Sequence, residues 1–243
     1  IKQIKRIKLF PMRILIKISG EALSHGKWSS VDQEYVRMLC SQIKTLVETG
    51  IEIALVTGGW NICRGEMFAK DGLSANVAHE VGMLATIING VILQDSLINL
   101  GQDAILYTAR EISTTGEVFH ARKAQKNLSE KKVIIAAGGS GNPYFTTDTA
   151  SVLRSIELGC DMMIKCTSVD GIYSADPKKD ETAIKYETVT YDEVLSKNLR
   201  IMDQTAIALA RDHGLKIGIF HIDSLPSLVL LNEGKFSGST IGK

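Results

Sequence analysis

Six short apolar runs rich in β-branched residues recur along the chain and predict strands. They cover residues 13–18, 51–57, 104–107, 133–137, 161–166 and 216–221. Each run is nearly continuous in apolar character instead of alternating, which is typical of strands buried on both faces. The pattern therefore predicts an α/β fold, with a mainly parallel sheet covered by helices on both sides.

Apolar residues at helical spacing predict three long helices between these strands, over residues 31–49, 76–100 and 146–158. Each ends just before a glycine, the residue that most easily adopts the left-handed conformation of a helix stop. Repeats and low-complexity tracts are absent, and the four prolines fall outside the predicted elements. We therefore expect one domain over residues 12–243.

Residues 1–11 alternate Lys or Arg with Ile and lack the apolar core and cleavage site of a secretory signal. We treat them as an N-terminal extension that is not part of the fold. The sequence leaves open whether they are an extended start of the chain or residues added to it.

The composition excludes several classes of protein. Lys and Arg number 28 against 27 Asp and Glu in 243 residues, so no overall charge attracts nucleic acid or an anionic membrane. The longest apolar stretch, residues 81–93, is shorter than the roughly 20 residues of a membrane span. The four cysteines show no C-x-x-C spacing, so neither a disulfide framework nor a zinc site is indicated and a reducing cytoplasm is expected.

Four predicted strands end in loops whose residues suit phosphate binding. In the first, KISGEA, Lys17 precedes a glycine turn that could meet a phosphate at a helix N-terminus, although a surface Lys before an ordinary turn has the same pattern. In the second, TGGWNICRG, paired glycines allow close backbone approach and Arg64 offers two donors, although a plain glycine turn would also fit. P-loop and Rossmann motifs are absent from the chain.

The other two loops extend this pattern. GGSGNPYFTTD, residues 138–148, could surround a phosphomonoester, and one of its threonines could also cap the next helix. KCTSVDGIYSADP, residues 165–177, adds a second lysine at a strand end and Tyr173, which could pack in the protein or support an adenine ring. Because ligands of open α/β sheets bind at the carboxyl ends of the strands, the four loops together predict a phosphate-transfer cleft.

Taken in chain order, six segments resemble the motif series of the bacterial uridylate (UMP) kinases in the amino acid kinase superfamily. They are KISGEAL, TGGWNICRG, GMLATIING, GNPYFTTD, KCTSVDGIYSADP and IMDQTAIALARDH. The resemblance runs from about Arg13 to the carboxyl end. It implies an αβα sandwich on a mainly parallel sheet, with an acceptor-binding half up to about residue 150 and an ATP-binding half after it. It also implies a homohexameric, cytoplasmic enzyme of pyrimidine biosynthesis that converts UMP to UDP with ATP and Mg²⁺.

The resemblance assigns roles by position. For ATP binding it implies Lys17, Ile18, Ser19, Gly20, Trp60, Arg64, Thr167, Tyr173 and Asp176. For UMP binding it implies Gly59, His79, Ser140, Gly141, Asn142, Pro143, Tyr144, Phe145, Thr146 and Thr147. The catalytic set is Lys17, Lys165, Asp148, Asp203 and Arg64, with the metal held through the nucleotide phosphates. The stretch linked to activation by GTP is His25, Gly26, Lys27, Trp28, Ser29 and Ser30, and the sequence leaves open whether GTP activates or UTP inhibits.

Two positions depart from the family's pattern. Trp60 stands where the family usually has a third glycine, so its indole must swing away from ATP or stack. His79 stands where the family usually has an acidic residue; Glu80 follows it, but one residue along a helix turns a side chain by about 100°. His79 could equally be a partly exposed helix residue.

The resemblance implies in-line transfer of the ATP γ-phosphoryl group to a phosphate oxygen of UMP. Two alternatives stay open. One is a superfamily member acting on a carboxylate or carbamate, against which GNPYFTTD argues. The other is a non-catalytic nucleotide-binding protein with the same fold.

Overall fold

A computed structural model describes residues 11–26, 30–63, 72–175, 177, 179–197, 199 and 201–243. Within these ranges one sheet of nine strands has the order β4-β3-β5-β2-β1-β6-β10-β11-β9. All of its described pairings are parallel except that of β10 with β11, so the predicted mainly parallel sheet is confirmed. The strands are β1 (Arg13–Ile18), β2 (Glu52–Thr57), β3 (Ala104–Thr108), β4 (Glu117–Val118), β5 (Val133–Ala137), β6 (Met162–Thr167), β9 (Thr188–Thr190), β10 (Lys216–His221) and β11 (Ser239–Gly242).

A separate antiparallel hairpin lies between β6 and β9. It consists of β7 (Ile172–Tyr173) and β8 (Lys185–Tyr186). The six predicted strands are β1, β2, β3, β5, β6 and β10, each correct to within one residue at either end. The strands that the sequence pattern missed are at most four residues long.

Helices cover both faces of the sheet. They are α1 (Gly20–Ser24), α2 (Gln33–Glu48), α3 (Ala75–Asn99), α4 (Ala121–Ser129), α5 (Thr147–Leu158), α6 (Tyr191–Ser196), α7 (Gln204–His213) and a 3₁₀ helix (Ile222–Glu233). The three predicted helices correspond to α2, α3 and α5. Helix α2 begins two residues later than predicted because the Asp32 side chain caps it by accepting from the backbone N–H groups of Glu34 and Tyr35.

One prediction about proline is wrong. Pro226 lies inside the 3₁₀ helix and not outside the regular elements. The segment's apolar residues Leu225, Leu228 and Leu231 are buried in the core, so packing holds the helical turns in place despite the missing N–H of proline.

Two hydrophobic cores lie on opposite faces of the sheet. Alternate residues of β1 supply both: Ile14, Ile16 and Ile18 pack in the core beneath α2 and α3, whereas Leu15 packs in the core beneath α4, α5 and α7. Because side chains alternate along a strand, Lys17 extends from the same face as Leu15. All four cysteines are free thiols, as their spacing predicted.

Helix α3 extends beyond the apolar stretch of residues 81–93 at both ends. By length and composition alone its 25 residues could cross a membrane. About 39% of its most apolar window is nevertheless buried inside the protein, where Leu93 and Leu97 belong to the core. Core helices pass the same test of length and composition, so one such helix is weak evidence for a membrane span. The exposed apolar residues of α3 are Val77, Leu84, Ile88, Val91 and Ile98.

Candidate active site

A cleft of about 850 Å³ opens at the carboxyl ends of the parallel strands. Its lining includes residues from all four loops singled out in the sequence. Sixteen residues with predicted roles line it: Lys17, Ser19, Gly20, His25, Gly26, Gly59, Trp60, His79, Tyr144, Phe145, Thr146, Thr147, Asp148, Lys165, Thr167 and Asp203. The predicted meeting of these loops at one sheet edge is therefore observed.

Other predicted site residues lie elsewhere. The structure does not place Ile18, Ser30, Ser140, Gly141, Asn142, Pro143 or Tyr173 in the lining. The side chain of Ile18 is buried in a core, and the Tyr173 hydroxyl donates to Asp170 at 2.7 Å. Five further predicted residues lie outside the described part of the chain: Lys27, Trp28, Ser29, Arg64 and Asp176.

Two lysines and an aspartate form the charged centre of the cleft. Lys17 and Lys165 are directly paired in register on the neighbouring strands β1 and β6, so their side chains share one face of the sheet. Asp148, in the first turn of α5, lies between them. Its Oδ1 is 3.0 Å from Lys17 Nζ and its Oδ2 is 2.7 Å from Lys165 Nζ.

Burial and charge oppose each other at this centre. Burial raises the pKa of Asp148, but the attraction of Lys17 and Lys165 outweighs it and holds that pKa below its ordinary value. Burial lowers the pKa of Lys165, and Asp148 only partly restores it. The arrangement therefore keeps Asp148 ionised and makes Lys165 easier to deprotonate than an ordinary lysine.

Asp203 joins the N-termini of two helices beside these charges. It caps α7 by accepting from the Ala206 backbone N–H at 2.9 Å, and it accepts hydrogen bonds from the hydroxyls of Thr146 and Thr149. Thr146 in turn caps α5 by accepting from the backbone N–H groups of Asp148 and Thr149. The predicted capping by a threonine of the third loop is thus confirmed for Thr146, and the cap fixes the start of the helix that carries Asp148.

Glycines allow the first two loops to approach each other. A Cβ atom added to Gly20 would lie 2.7 Å from the backbone N of Trp60, and one added to Gly59 would lie 2.7 Å from the Cβ of Ala85 in α3. Both distances are too short for any larger residue. Both glycines are buried, yet both line the cleft, so the absence of a side chain lets the two turns lie close together beside it.

Two polar residues of α3 that the sequence analysis did not assign hold the loops. Asn89 is fully buried and donates to the carbonyl of Gly58 at 2.7 Å and to Asn61 Oδ1 at 2.8 Å. The Thr86 hydroxyl accepts from the backbone N–H of Gly138 at 2.8 Å. Their sequence position carried a signal for this role. A polar residue buried in an otherwise apolar helix needs a hydrogen-bond partner, which a neighbouring loop can supply.

Comparison with known proteins agrees with this geometry. The sequence model described as "Amino acid kinase family" matches residues 12–221. This chain belongs to the amino acid kinase family. It is 42% identical to a protein named uridylate kinase from Sulfurovum sp. (strain NBC37-1), over 95% of this chain and 99% of the relative. A uridylate kinase of Aliarcobacter butzleri (strain RM4018) shows the same identity and coverage.

Two solved structures of UMP kinases have folds closely similar to that of this chain. The crystal structure of a UMP kinase from Bacillus anthracis is 31% identical and has a TM-score of 0.91, covering 96% of each chain. A UMP kinase from Ureaplasma parvum is 32% identical and has a TM-score of 0.89, covering 96% of this chain and 99% of the other.

The two residues that depart from the uridylate kinase pattern both line the cleft of this family member. The Trp60 side chain is 57% exposed, so its indole extends from the glycine turn and does not fill the core. The His79 ring lies 4.9 Å from the ring of Tyr144, across the cleft from α3. Glu80 does not replace the missing carboxylate, because it is not part of the lining and pairs instead with Arg110 at 3.0 Å.

Proposed function

We propose that this chain is an ATP-dependent nucleoside monophosphate kinase that transfers the γ-phosphoryl group of ATP to UMP, giving UDP. The observation that carries the proposal is the buried group of Lys17, Asp148 and Lys165 at the carboxyl edge of the sheet. The identity of about 42% to proteins named uridylate kinase, over nearly the whole chain, supports UMP as the acceptor.

The chemistry needs positive charge more than it needs a base. A phosphomonoester with a second pKa of about 6 is mostly dianionic at neutral pH and already nucleophilic. The obstacle is repulsion between two polyanions, which Lys17 and Lys165 reduce as charge spreads over the transferring oxygens. One contact at about 4 Å and an effective dielectric near 20 amounts to roughly 4 kcal/mol, or about a thousandfold in rate.

Asp148 holds both lysines in place and does not itself need to accept a proton. Its carboxylate contacts each ammonium group within 3.0 Å, so neither lysine can turn away without losing an ion pair in a buried site. Asp203 has the corresponding role for the helix ends, because it joins the caps of α5 and α7. We propose both as organising residues of the charged centre.

The two nucleotides divide the cleft between them in this proposal. ATP phosphates would lie at Lys17, Ser19 and Gly20, where α1 begins, with Trp60 and Thr167 nearby. UMP would lie along the loop that ends at Thr147, with Gly59 and His79 facing it. All of these residues line the cleft, which supports the assignment. The division of one domain, residues 12–243, into acceptor and ATP halves stays a prediction.

Magnesium would enter with ATP. In the described part of the chain no group of three or more His, Cys, Asp or Glu side chains is suited to hold a metal, and Asp148 is already paired with two lysines. This donor set fits Mg²⁺ carried by the nucleotide phosphates, as is common for that ion. When bound there, the ion would neutralise phosphate charge.

We also propose a cytoplasmic homohexamer that serves pyrimidine nucleotide biosynthesis. The four free thiols suit a reducing compartment. The exposed apolar residues of α3, from Val77 to Ile98, suit a contact with a second subunit. GTP and UTP stay predicted effectors, and His25 and Gly26 of the predicted effector stretch line the cleft.

The test is formation of ADP with magnesium and ATP against a panel of acceptors: UMP, dUMP, CMP, AMP, N-acetylglutamate and aspartate. Preference for UMP supports the proposal. Preference for a carboxylate acceptor would favour the other branch of the family. ATP binding without turnover on any acceptor would favour a non-catalytic nucleotide-binding protein.

A further inference from the structure

Arg110 connects two segments that line the cleft, although it is not itself part of the lining. It lies two residues after the end of β3. Its Nε donates to the carbonyl of Gly141 at 2.5 Å, and its guanidinium lies 3.0 Å from Oε1 of Glu80 in the second turn of α3. One planar side chain thus holds the loop of residues 138–146 against the start of α3.

That loop adopts a backbone that needs support. Gly138, Gly139 and Gly141 have φ values of +81°, +61° and +82°, and Tyr144 has a φ of +71° although it is not a glycine. A left-handed tyrosine is uncommon and persists only where surrounding contacts hold it. The Tyr144 side chain is 66% exposed, so packing in a core does not hold it. The bond from Arg110 to Gly141 acts three residues before this position.

The same two segments carry two rings that contact each other at a tilt of 56° beside the cleft. His79 immediately precedes Glu80, and Tyr144 lies three residues after Gly141. Their ring centroids are 4.9 Å apart, and both residues line the cleft. The contacts from Glu80 through Arg110 to Gly141, together with the hydrogen bond from Gly138 to Thr86, therefore join the two segments that carry these rings.

We infer that Glu80 and Arg110 form a brace that positions His79 and Tyr144 for the acceptor nucleotide. The inference rests on the proposed function in one respect, namely that the acceptor binds between this loop and α3. Arg110 and Glu80 are positioning residues, because neither reaches the cleft. The brace meets the loop at Gly141, five residues before Thr146, whereas the Lys17 and Lys165 pair lies on β1 and β6.

If the brace positions the acceptor, a change at Arg110 should raise the KM for UMP and leave the KM for ATP nearly unchanged. Arg110→Met keeps the aliphatic stem and removes every donor, so we expect the KM for UMP to rise about tenfold, which corresponds to about 1.4 kcal/mol. The KM for ATP should stay within about twofold, because the variant leaves the charged centre intact. Arg110→Lys retains a positive donor without the planar fork, and should recover only part of the loss. Glu80→Gln should have a smaller effect, because the bond to Gly141 remains.

Lys123→Met is the matched control. Lys123 forms an ion pair of the same exposed kind, 2.6 Å from Glu117, and neither residue lines the cleft. The control variant should leave the KM for UMP unchanged. A second measurement, independent of activity, is the hydrogen-exchange rate of the backbone amides of residues 139–145. This rate should increase in Arg110→Met and stay unchanged in Lys123→Met.

The outcomes separate the brace from the proposed function. Unchanged loop exchange in Arg110→Met overturns the brace, whether or not the enzyme phosphorylates UMP. Equal increases in both KM values, with a matching loss of thermal stability, overturn it in favour of a general structural role. If the wild-type protein does not use UMP, the proposed function fails, and local exchange in the loop still decides whether Arg110 holds it. If Arg110→Met does not fold, Arg110→Lys and Glu80→Gln supply the same comparison.

Discussion

Replacing Asp148 with asparagine removes the only carboxylate that contacts both lysines of the charged centre within the described ranges. The change keeps the size of the side chain, so packing is little disturbed. It leaves two ammonium groups side by side on neighbouring strands, with no anion between them. We expect lower stability and lower turnover together.

The magnitude follows from burial. Asp148 is 9% exposed, and removing one partner of a buried ion pair typically destabilises a protein by about 3–5 kcal/mol. Asparagine still offers an acceptor to one lysine, so we expect about 3 kcal/mol. For a chain of this size about 1 kcal/mol corresponds to roughly 2–4 °C, which predicts a fall in Tm of about 6–12 °C. A protein with about 5–15 kcal/mol of stability still folds.

Calorimetry with and without magnesium and ATP tests this reasoning. The phosphates of ATP would replace the missing negative charge, so ATP should raise the Tm of Asp148→Asn by more than it raises that of the wild type. Asp192→Asn is the control, because Asp192 is 81% exposed and pairs with Arg211 at 3.2 Å. A fall in Tm no larger than that of the control would refute the claim that Asp148 balances two buried charges.

Three further predictions follow from the same site. Lys17→Ala should lower kcat by up to about a thousandfold and change the KM for UMP much less, as steady-state kinetics would show; unchanged turnover would remove Lys17 from the chemistry. Because burial lowers the pKa of Lys165 in the free protein, a pH profile of kcat/KM, which reports the free enzyme, should decline on its alkaline side below the pH at which an ordinary lysine loses its proton. Gly59→Ala would place the new Cβ atom 2.7 Å from the Cβ of Ala85, so it should lower Tm. Gly82→Ala is the contrast: the new Cβ atom would meet open space within helix α3, so Tm should stay the same or rise.

The large elements could be predicted because their signals are local. The six main strands are continuous apolar runs, α2 has an apolar face at helical spacing, and α5 ends at the left-handed Gly159. The short elements lack such signals. Helix α4 is short and mostly polar, with Ala124, Asn127 and Leu128 as its buried residues, and the 3₁₀ helix contains Pro226, so neither matches a long apolar pattern.

The site could be predicted in part. The loops were recognisable because strand ends in a parallel sheet meet at one edge, and the resemblance placed Asp148 and Asp203 in the predicted catalytic set. The register that pairs Lys17 with Lys165 was not readable, because it joins residues 148 positions apart in the chain. The Glu80 and Arg110 pair was also invisible, since neither residue belongs to a motif and their meeting depends on how α3 packs beside β3.

The charged centre links the stability of this fold to its chemistry. Among the described residues, two lysines face one aspartate, which leaves one positive charge without a paired carboxylate, and Asp203 is already engaged by Thr146, Thr149 and the N-terminus of α7. Burying such a group destabilises a protein relative to an apolar core of equal volume. We therefore expect a polyphosphate that enters the cleft to supply the missing negative charge, so that its binding would relieve the same imbalance that places the two lysines for the proposed phosphoryl transfer.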